Sequence, residues 1–305
     1  MISHVTRYID LRDKNFFTVP KPIENELLSS WLIRVALAHD TLPWSFYNLH
    51  FPDLRNIIFS RDLDIWVNND LLIRLSQKSN LSIEILFSMT LQSYADILQR
   101  KIVRNTGNTM ISPVVPRARS NQKYGLRFCP LCLGDDLIPY FRKVWRVSFY
   151  SVCLKHSLLL LDRCCKCEKA LSIYKFQDEL GFIRCWYCGQ DLSKCVSTFV
   201  ADDKYLAIQK LSDIISNKKY NCVNQEVSAL DFFTVYHQIV KILNLHSSSS
   251  NKMSPYDSLM SSVHFWEEFG NLLNGKNISA INQKSALTKD MVYIPFFYKN
   301  ILYNF

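Results

Sequence analysis

Glycine is scarce in this sequence, with 7 in 305 residues, and the scarcity excludes whole classes of protein. No glycine-rich loop is available to wrap backbone amides around a nucleotide's phosphates, so neither a P-loop enzyme nor a dinucleotide-binding fold is expected. Long apolar runs are missing as well. The nearest are SLLLL from Ser157 and YIPFFY from Tyr293, far short of the roughly 18 residues that span a bilayer, so no membrane segment is expected. The opening MISHVTRYID has no basic-then-apolar leader, which points to a reducing cytoplasm. Catalytic patterns are absent too. HFWEEF sets Glu267 three residues after His264 without a second histidine at metalloprotease spacing, and no carboxylate constellation suggests a two-metal nuclease. Neither an enzyme activity nor a small-molecule substrate is expected. An apolar content of 48% with 13% aromatic residues excludes a disordered chain.

Cysteine, in contrast, is organised. RFCPLC, SVCLKH, RCCKC and RCWYC follow one another between Cys129 and Cys188. Two residues separate Cys129 from Cys132, Cys153 from His156, Cys164 from Cys167 and Cys185 from Cys188. Such a four-residue knuckle aims two ligand side chains at one point, and two knuckles complete a tetrahedron around zinc. Sequential pairing gives a first site of Cys129, Cys132, Cys153 and His156 and a second of Cys164, Cys167, Cys185 and Cys188. An interleaved arrangement, with the first and third knuckles sharing an ion, stays open. So does Cys165 in place of Cys164, although the gap to Cys167 favours Cys164. Buried thiols or disulfides are the plain alternative, disfavoured by the spacing and by a reducing compartment. Cys195 and Cys222 have no partner at ligand spacing and are expected to be spectators. With four protein ligands each, both zinc ions are closed to water and are expected to be structural.

The net charge is +9, which suits a polyanionic partner. Its distribution says more. No Asp or Glu falls between Ile97 and Gly134, while Arg100, Lys101, Arg104, Arg117, Arg119, Lys123 and Arg127 all do. A solvated linker would also look like this, but a cationic approach to a metal module is better explained by nucleic-acid phosphate.

In order along the chain, residues 1 to 22 read as an extended arm ending in VPKP, with Phe16 and Phe17 available to dock on a neighbour. Asn25 is expected to cap a helix from Glu26 to His39, with Leu28, Trp31, Leu32 and Val35 on one face. Pro43 and Pro52 bracket a short aromatic turn or helix, and Trp31 and Trp44 are expected in the core. From Asn69 to Leu98 two helices are expected with a brief break, capped at Asn80 or Ser82. Leu71, Leu72 and Leu75 face inward on the first, and Ile85, Leu86 and Met89 on the second. That outline is a helix-turn-helix, but its second helix has no Arg or Lys to read bases. Trp145, Val147 and Phe149 alternate with Arg146, Ser148 and Tyr150 as in a strand. The second site repeats the ribbon, with a turn near Asp178 to Gly181. Beyond Val200 the chain reads as helical, over KYLAIQKLSDIIS, SALDFFTVYHQIVKILNL and SLMSSVHFWEEFGNLLN, before an aromatic tail. The expected fold is thus mostly α with small zinc-ribbon β elements. Residues 1–110 form an arm and helical domain, 111–200 a basic linker and tandem zinc module, and 201–305 a helical domain.

PKPIENELLSSWLIRVA, the basic approach to RFCPLC, and the run from Trp145 through CLKH to CCKC resemble the TniQ/TnsD family of transposon target-selection proteins, over about residues 17 to 190. The resemblance implies an N-terminal helix-turn-helix domain, two zinc-binding motifs and a further helical region. The chain stops at 305, without the long extra DNA-binding region of members that read a fixed attachment site, and so resembles the shorter, adaptor-type members. Such adaptors imply a non-enzymatic homodimer seated on a CRISPR surveillance complex with its guide RNA and target DNA. They touch its handle-processing and backbone subunits and recruit an AAA+ ATPase transposition regulator. Guide pairing then reads the sequence. A DNA-binding protein that reads its site directly is the rival expectation.

Overall fold

A computed structural model describes residues 15–54, 58, 61–104, 108–114, 125–175, 183–200, 202–222 and 225–246. The turn expected near Asp178, the third expected C-terminal helix and the aromatic tail lie outside the described residues. The chain divides into two compact units, Met1–Ile208 and Gln209–Phe305.

Among the described residues the first unit opens with the helices α1 (Leu28–Leu37), α2 (Pro43–His50), α3 (Leu63–Trp66), α4 (Asn69–Ser79) and α5 (Ile83–Ser88). Helix α1 is the central one, with every residue from Leu28 to Ala36 buried, as a helix in mid-core must be. Its one charge, Arg34, meets Glu26 at 2.6 Å, and Ser30 also donates to that carboxylate. Asn25 does not cap this helix. It takes a left-handed backbone (φ 61°), and its carbonyl and side-chain oxygens receive the amides of Lys143 and Val144 at 2.6 and 3.2 Å. The chain just before α1 is thus stitched to the chain just before the first cysteine–histidine knuckle, with Leu27 donating to Phe141 as well.

Trp31 is fully buried, its indole N–H donating to the Pro20 carbonyl at 2.8 Å, but Trp44, expected in the core, is 46% exposed on the outer side of α2. The described end of the arm docks on the body: Phe16 lies among the rings of His39, Phe46, Tyr47, His50 and Phe51, and Phe17 stays outside. His39 fixes the turn, with Nε2 accepting the amides of Phe17 and Thr18.

Asn68 caps α4, Asn80 ends it in a left-handed conformation, and Ser82 caps α5. Leu71, Leu72, Leu75, Leu86 and Met89 are buried as the spacing requires, whereas Ile85 is 44% exposed. The second helix does not reach Leu98. It stops at Ser88 and gives way to a 3-10 turn at Leu91–Tyr94. The hydroxyls of Ser88, Thr90 and Ser93 each donate to a carbonyl three residues back, the local bonding that competes with a helix ladder.

Regular structure then thins out. Helix α6 (Pro130–Asp135) and the two-residue antiparallel strands β1 (Val152–Cys153) and β2 (Leu158–Leu159) frame the first knuckles. The strand expected from Trp145 to Tyr150 is instead a 3-10 turn at Lys143–Arg146, a single bridge from Val147 to Ile111, and a further turn at Ser148 and Phe149 closed by the Tyr150 amide on the Val147 carbonyl. Trp145, Val147 and Phe149 are buried as alternation demands, but Arg146 is buried too. Arg146 meets Asp62 at 2.5 Å and donates to the Ser112 carbonyl; an ion pair, not a pleat, sets this segment.

In the second unit, the last part of α7 (Asp202–Asn217) leads into a hairpin of β3 (Lys219–Cys222) and β4 (Gln225–Ser228), then α8 (Ala229–His246). Both helices match expectation, and the hairpin was not foreseen. Among the described residues no helix is long and apolar enough to cross a membrane.

Candidate metal centres and basic surface

Each knuckle closes by the same backbone bond. The residue after the second ligand donates its amide to the carbonyl of the first: Leu133 to Cys129, Ser157 to Cys153, Glu168 to Cys164 and Gly189 to Cys185, at 2.8 to 3.2 Å. That bond curls the loop until both ligand atoms face one side. In three of the four, the donor is left-handed: Ser157 (φ 54°), Glu168 (φ 57°) and Gly189 (φ 68°). Further amides turn onto the sulfurs, Lys166 to Cys164 and Tyr187 to Cys185, which favours thiolate over thiol.

The knuckles meet in sequential pairs. Cys129, Cys132, Cys153 and His156 form one cluster and Cys164, Cys167, Cys185 and Cys188 another, every ligand atom within 4.8 Å of the others in its set. Sulfur-to-sulfur edges are 3.5 Å (Cys132–Cys153), 3.6 Å (Cys164–Cys188) and 3.7 Å (Cys167–Cys185), and His156 Nδ1 lies 3.4 Å from Cys129 and Cys132. A tetrahedron with zinc–sulfur bonds of about 2.3 Å has edges of about 3.8 Å, slightly shorter to nitrogen. Both donor sets fit a four-coordinate ion.

Charge argues the same way. In the first cluster the Cys132 thiol is pushed up, first by its contact with Cys129 and then by Cys153 and burial, while the Cys129 and Cys132 contacts hold Cys153 well down. Crowding and burial oppose ionising the three sulfurs together; a dication among them would favour all three thiolates. On the far side of the imidazole, His156 Nε2 lies 3.0 Å from Asp135 Oδ2. This carboxylate fixes the tautomer that leaves Nδ1 for the ion, and sequence spacing did not flag it.

The Cys164 ambiguity resolves. Cys164 belongs to the cluster, and Cys165 forms a disulfide with Cys195, their Cα atoms 5.6 Å apart. The spectator reading of Cys195 is therefore corrected: the chain folds back through the 3-10 turn at Leu192–Lys194 and brings it to the knuckle.

The basic window separates into parts. Arg100, Lys101 and Arg104 are exposed. Arg127 is not part of that surface: its guanidinium donates to the carbonyls of Val147, Ser148 and Tyr150, each at 3.1 Å, and burial holds its pKa below the ordinary range. It is a clamp on the chain entering β1. Arg117, Arg119 and Lys123 lie outside the described residues. A cation that the window missed joins the surface. Arg61 and Arg104 both lie over the ring of Trp66, at 4.5 and 5.9 Å from its centroid. Forty-two residues of chain separate the two arginines, and no local pattern links them.

No curated protein matches the chain. Residues 17–160, which carry the described N-terminal helices, the stitch to Phe141 and the whole first cluster, match the family model TniQ, so the chain contains a region similar to the TniQ family.

Proposed function

We propose that the chain is a non-enzymatic target-selection adaptor of a transposon. The TniQ family is associated with transposon target selection, and the observation that carries the reading for this chain is the pair of four-ligand clusters. Zinc in either would be fully coordinated by protein, with no position for substrate or water. The two ions hold a loop-rich platform in shape, and the platform grips other macromolecules.

The helix-turn-helix outline of α4 and α5 supports a protein-facing role over base reading. Helix α5 has Glu84 and no cation, and Ile83, Ile85 and Phe87 stand 40 to 44% exposed. An apolar outer face suits another protein surface better than a groove lined with phosphate. Arg61, Arg100, Lys101 and Arg104 suit a nucleic acid held by that partner. The adaptor then links a target-bound complex, an RNA-guided surveillance complex contacted through its handle-processing and backbone subunits, to the AAA+ regulator, with two copies of the chain acting as a homodimer.

Co-purification with candidate surveillance-complex subunits, before and after RNase, tests this. Retention of those subunits is expected. If instead the isolated chain binds one duplex sequence about a thousandfold more tightly than random DNA, it reads its site directly and the adaptor reading fails.

A further inference from the structure

The second cluster carries a surface that metal binding does not use. Trp186 and Tyr187 are the two residues between ligands Cys185 and Cys188, so the knuckle bond from Gly189 to Cys185 turns them away from the sulfur cage. Tyr187 is 61% exposed. The rings meet edge to face, 5.5 Å apart at 75°, and the Trp186 indole is anchored by its N–H on the Ala170 carbonyl at 3.2 Å. An exposed tyrosine ring is thus set at the surface against an anchored, half-buried tryptophan. A fold has no need to display that ring there.

Cations stand over both. Lys175 Nζ lies 3.8 Å from the Trp186 centroid and Lys169 Nζ 5.4 Å from that of Tyr187. The lysines come from the chain after Cys167 and the rings from the knuckle of Cys185, so the cage itself fixes their separation. Arg184 is exposed beside them, and among the described residues neither Lys169 nor Arg184 forms an ion pair. The patch is positive and aromatic together. An acidic peptide would use the ammonium groups and leave the rings idle. A duplex offers phosphates but keeps its base faces stacked inside. Unpaired nucleotides offer both a face to stack and a phosphate to neutralise.

We infer that the Trp186–Tyr187 tip of the second cluster, with Lys169 and Lys175, is a binding site for unpaired nucleotides of a single RNA or DNA strand. The site lies beyond residue 160, where the TniQ match ends. It goes beyond the adaptor reading and shares with it only the metal of the second cluster. Loss of one does not entail loss of the other, because subunit co-purification tests the adaptor and oligonucleotide binding tests the tip.

The experiment is fluorescence anisotropy of the full chain with labelled oligo-U, oligo-dT and a duplex of equal length. Single strands are expected to bind more tightly than duplex, and whichever of the two single strands binds better identifies the source of the strand. Y187A should weaken single-strand binding about tenfold, Y187F should restore it, and K169E should lower the slope of log affinity against log salt by about one or more. Zinc content should remain at wild-type level in all three. Quenching of tryptophan emission by the strand, abolished in W186F, reads the same contact without Y187A. Equal affinity for duplex and single strand, wild-type binding by Y187A, or a quench that survives W186F would each overturn the proposal.

Discussion

Asp64 is fully buried next to Asp62, with Arg146 facing both and Ser29 donating to its carboxylate from backbone and hydroxyl. Burial first, and Asp62 second, push its pKa up to about 6. The sign follows from linkage: the folded carboxyl takes up a proton more readily than the unfolded one, so its contribution is complete below about pH 4 and is lost as pH rises towards 6. Asp64→Asn removes this dependence. Urea unfolding of both proteins between pH 4 and 7 should show wild type losing about 2–3 kcal/mol relative to the variant across that window; acid loss of metal acts on both and cancels. Parallel curves would mean that Arg146 already holds Asp64 ionised. Strain in the knuckles gives a second residue-scale test. Gly189 has open space where a methyl would go but sits at φ 68°, so Gly189→Ala should cost about 1 kcal/mol through backbone conformation alone. Glu168→Gly, at φ 57°, should gain a similar amount or slightly less, since glycine also loosens the unfolded chain. Thermal melts read both. A neutral Gly189→Ala would show that the metal cage relaxes the loop out of the left-handed region.

At the scale of elements, what could be read in advance depended on what holds each element. Helices α1, α4 and α8 are set by apolar spacing, and that spacing is visible in ELLSSWLIRVAL, DLLIRLSQKS and ALDFFTVYHQIV. Both clusters were equally visible, because a two-residue gap between ligands is a local constraint. The misses are elements fixed by distant partners. Asn25 looks like a cap but serves Lys143 and Val144. Arg146 looks like an outward strand residue but answers Asp62. The β3–β4 hairpin has no Asn-Gly or Asp-Gly turn to announce it, and the Arg61–Trp66–Arg104 group exists only once the chain has folded. Gly125 is the clearest case. A methyl there would come within 1.9 Å of the Asp162 carbonyl oxygen and 2.7 Å of the Leu171 amide, where the chain entering the first cluster crosses the chain entering the second. Backbone cannot step aside as a side chain can. Gly125→Ala should therefore destabilise by about 3 kcal/mol or more, at the high end for single substitutions, and should lower zinc content. A variant with wild-type melting and two bound ions would place the crossing elsewhere.

Across the first unit, the two clusters are tied to the helical core very differently. The first is bound into it: Leu27 donates to Phe141, Phe141 donates to Ser30 in the first turn of α1, and Arg146 reaches back to Asp62. All three contacts lie on the short stretch of chain between the Cys132 and Cys153 knuckles. The second cluster reaches the first through Leu126 and Leu171, and through the Leu192–Lys194 turn packed on α6. Breaking either ligand set should therefore have unequal consequences, although an ion in either cluster would stabilise its peptide by a comparable amount, on the order of 10 kcal/mol. Cys153→Ser should release one zinc equivalent and lower the melting temperature of the whole unit, because the stretch that fills the groove beside α1 loses its anchor. Cys185→Ser should also release one equivalent but leave most of the helical circular dichroism transition where it was, with exchange of amides raised mainly between residues 164 and 195. Zinc analysis, circular dichroism melts and hydrogen exchange on the two variants decide it. Equal melting shifts would mean that both cages share one cooperative fold with the helices, and the platform would then stand or fall as a single piece.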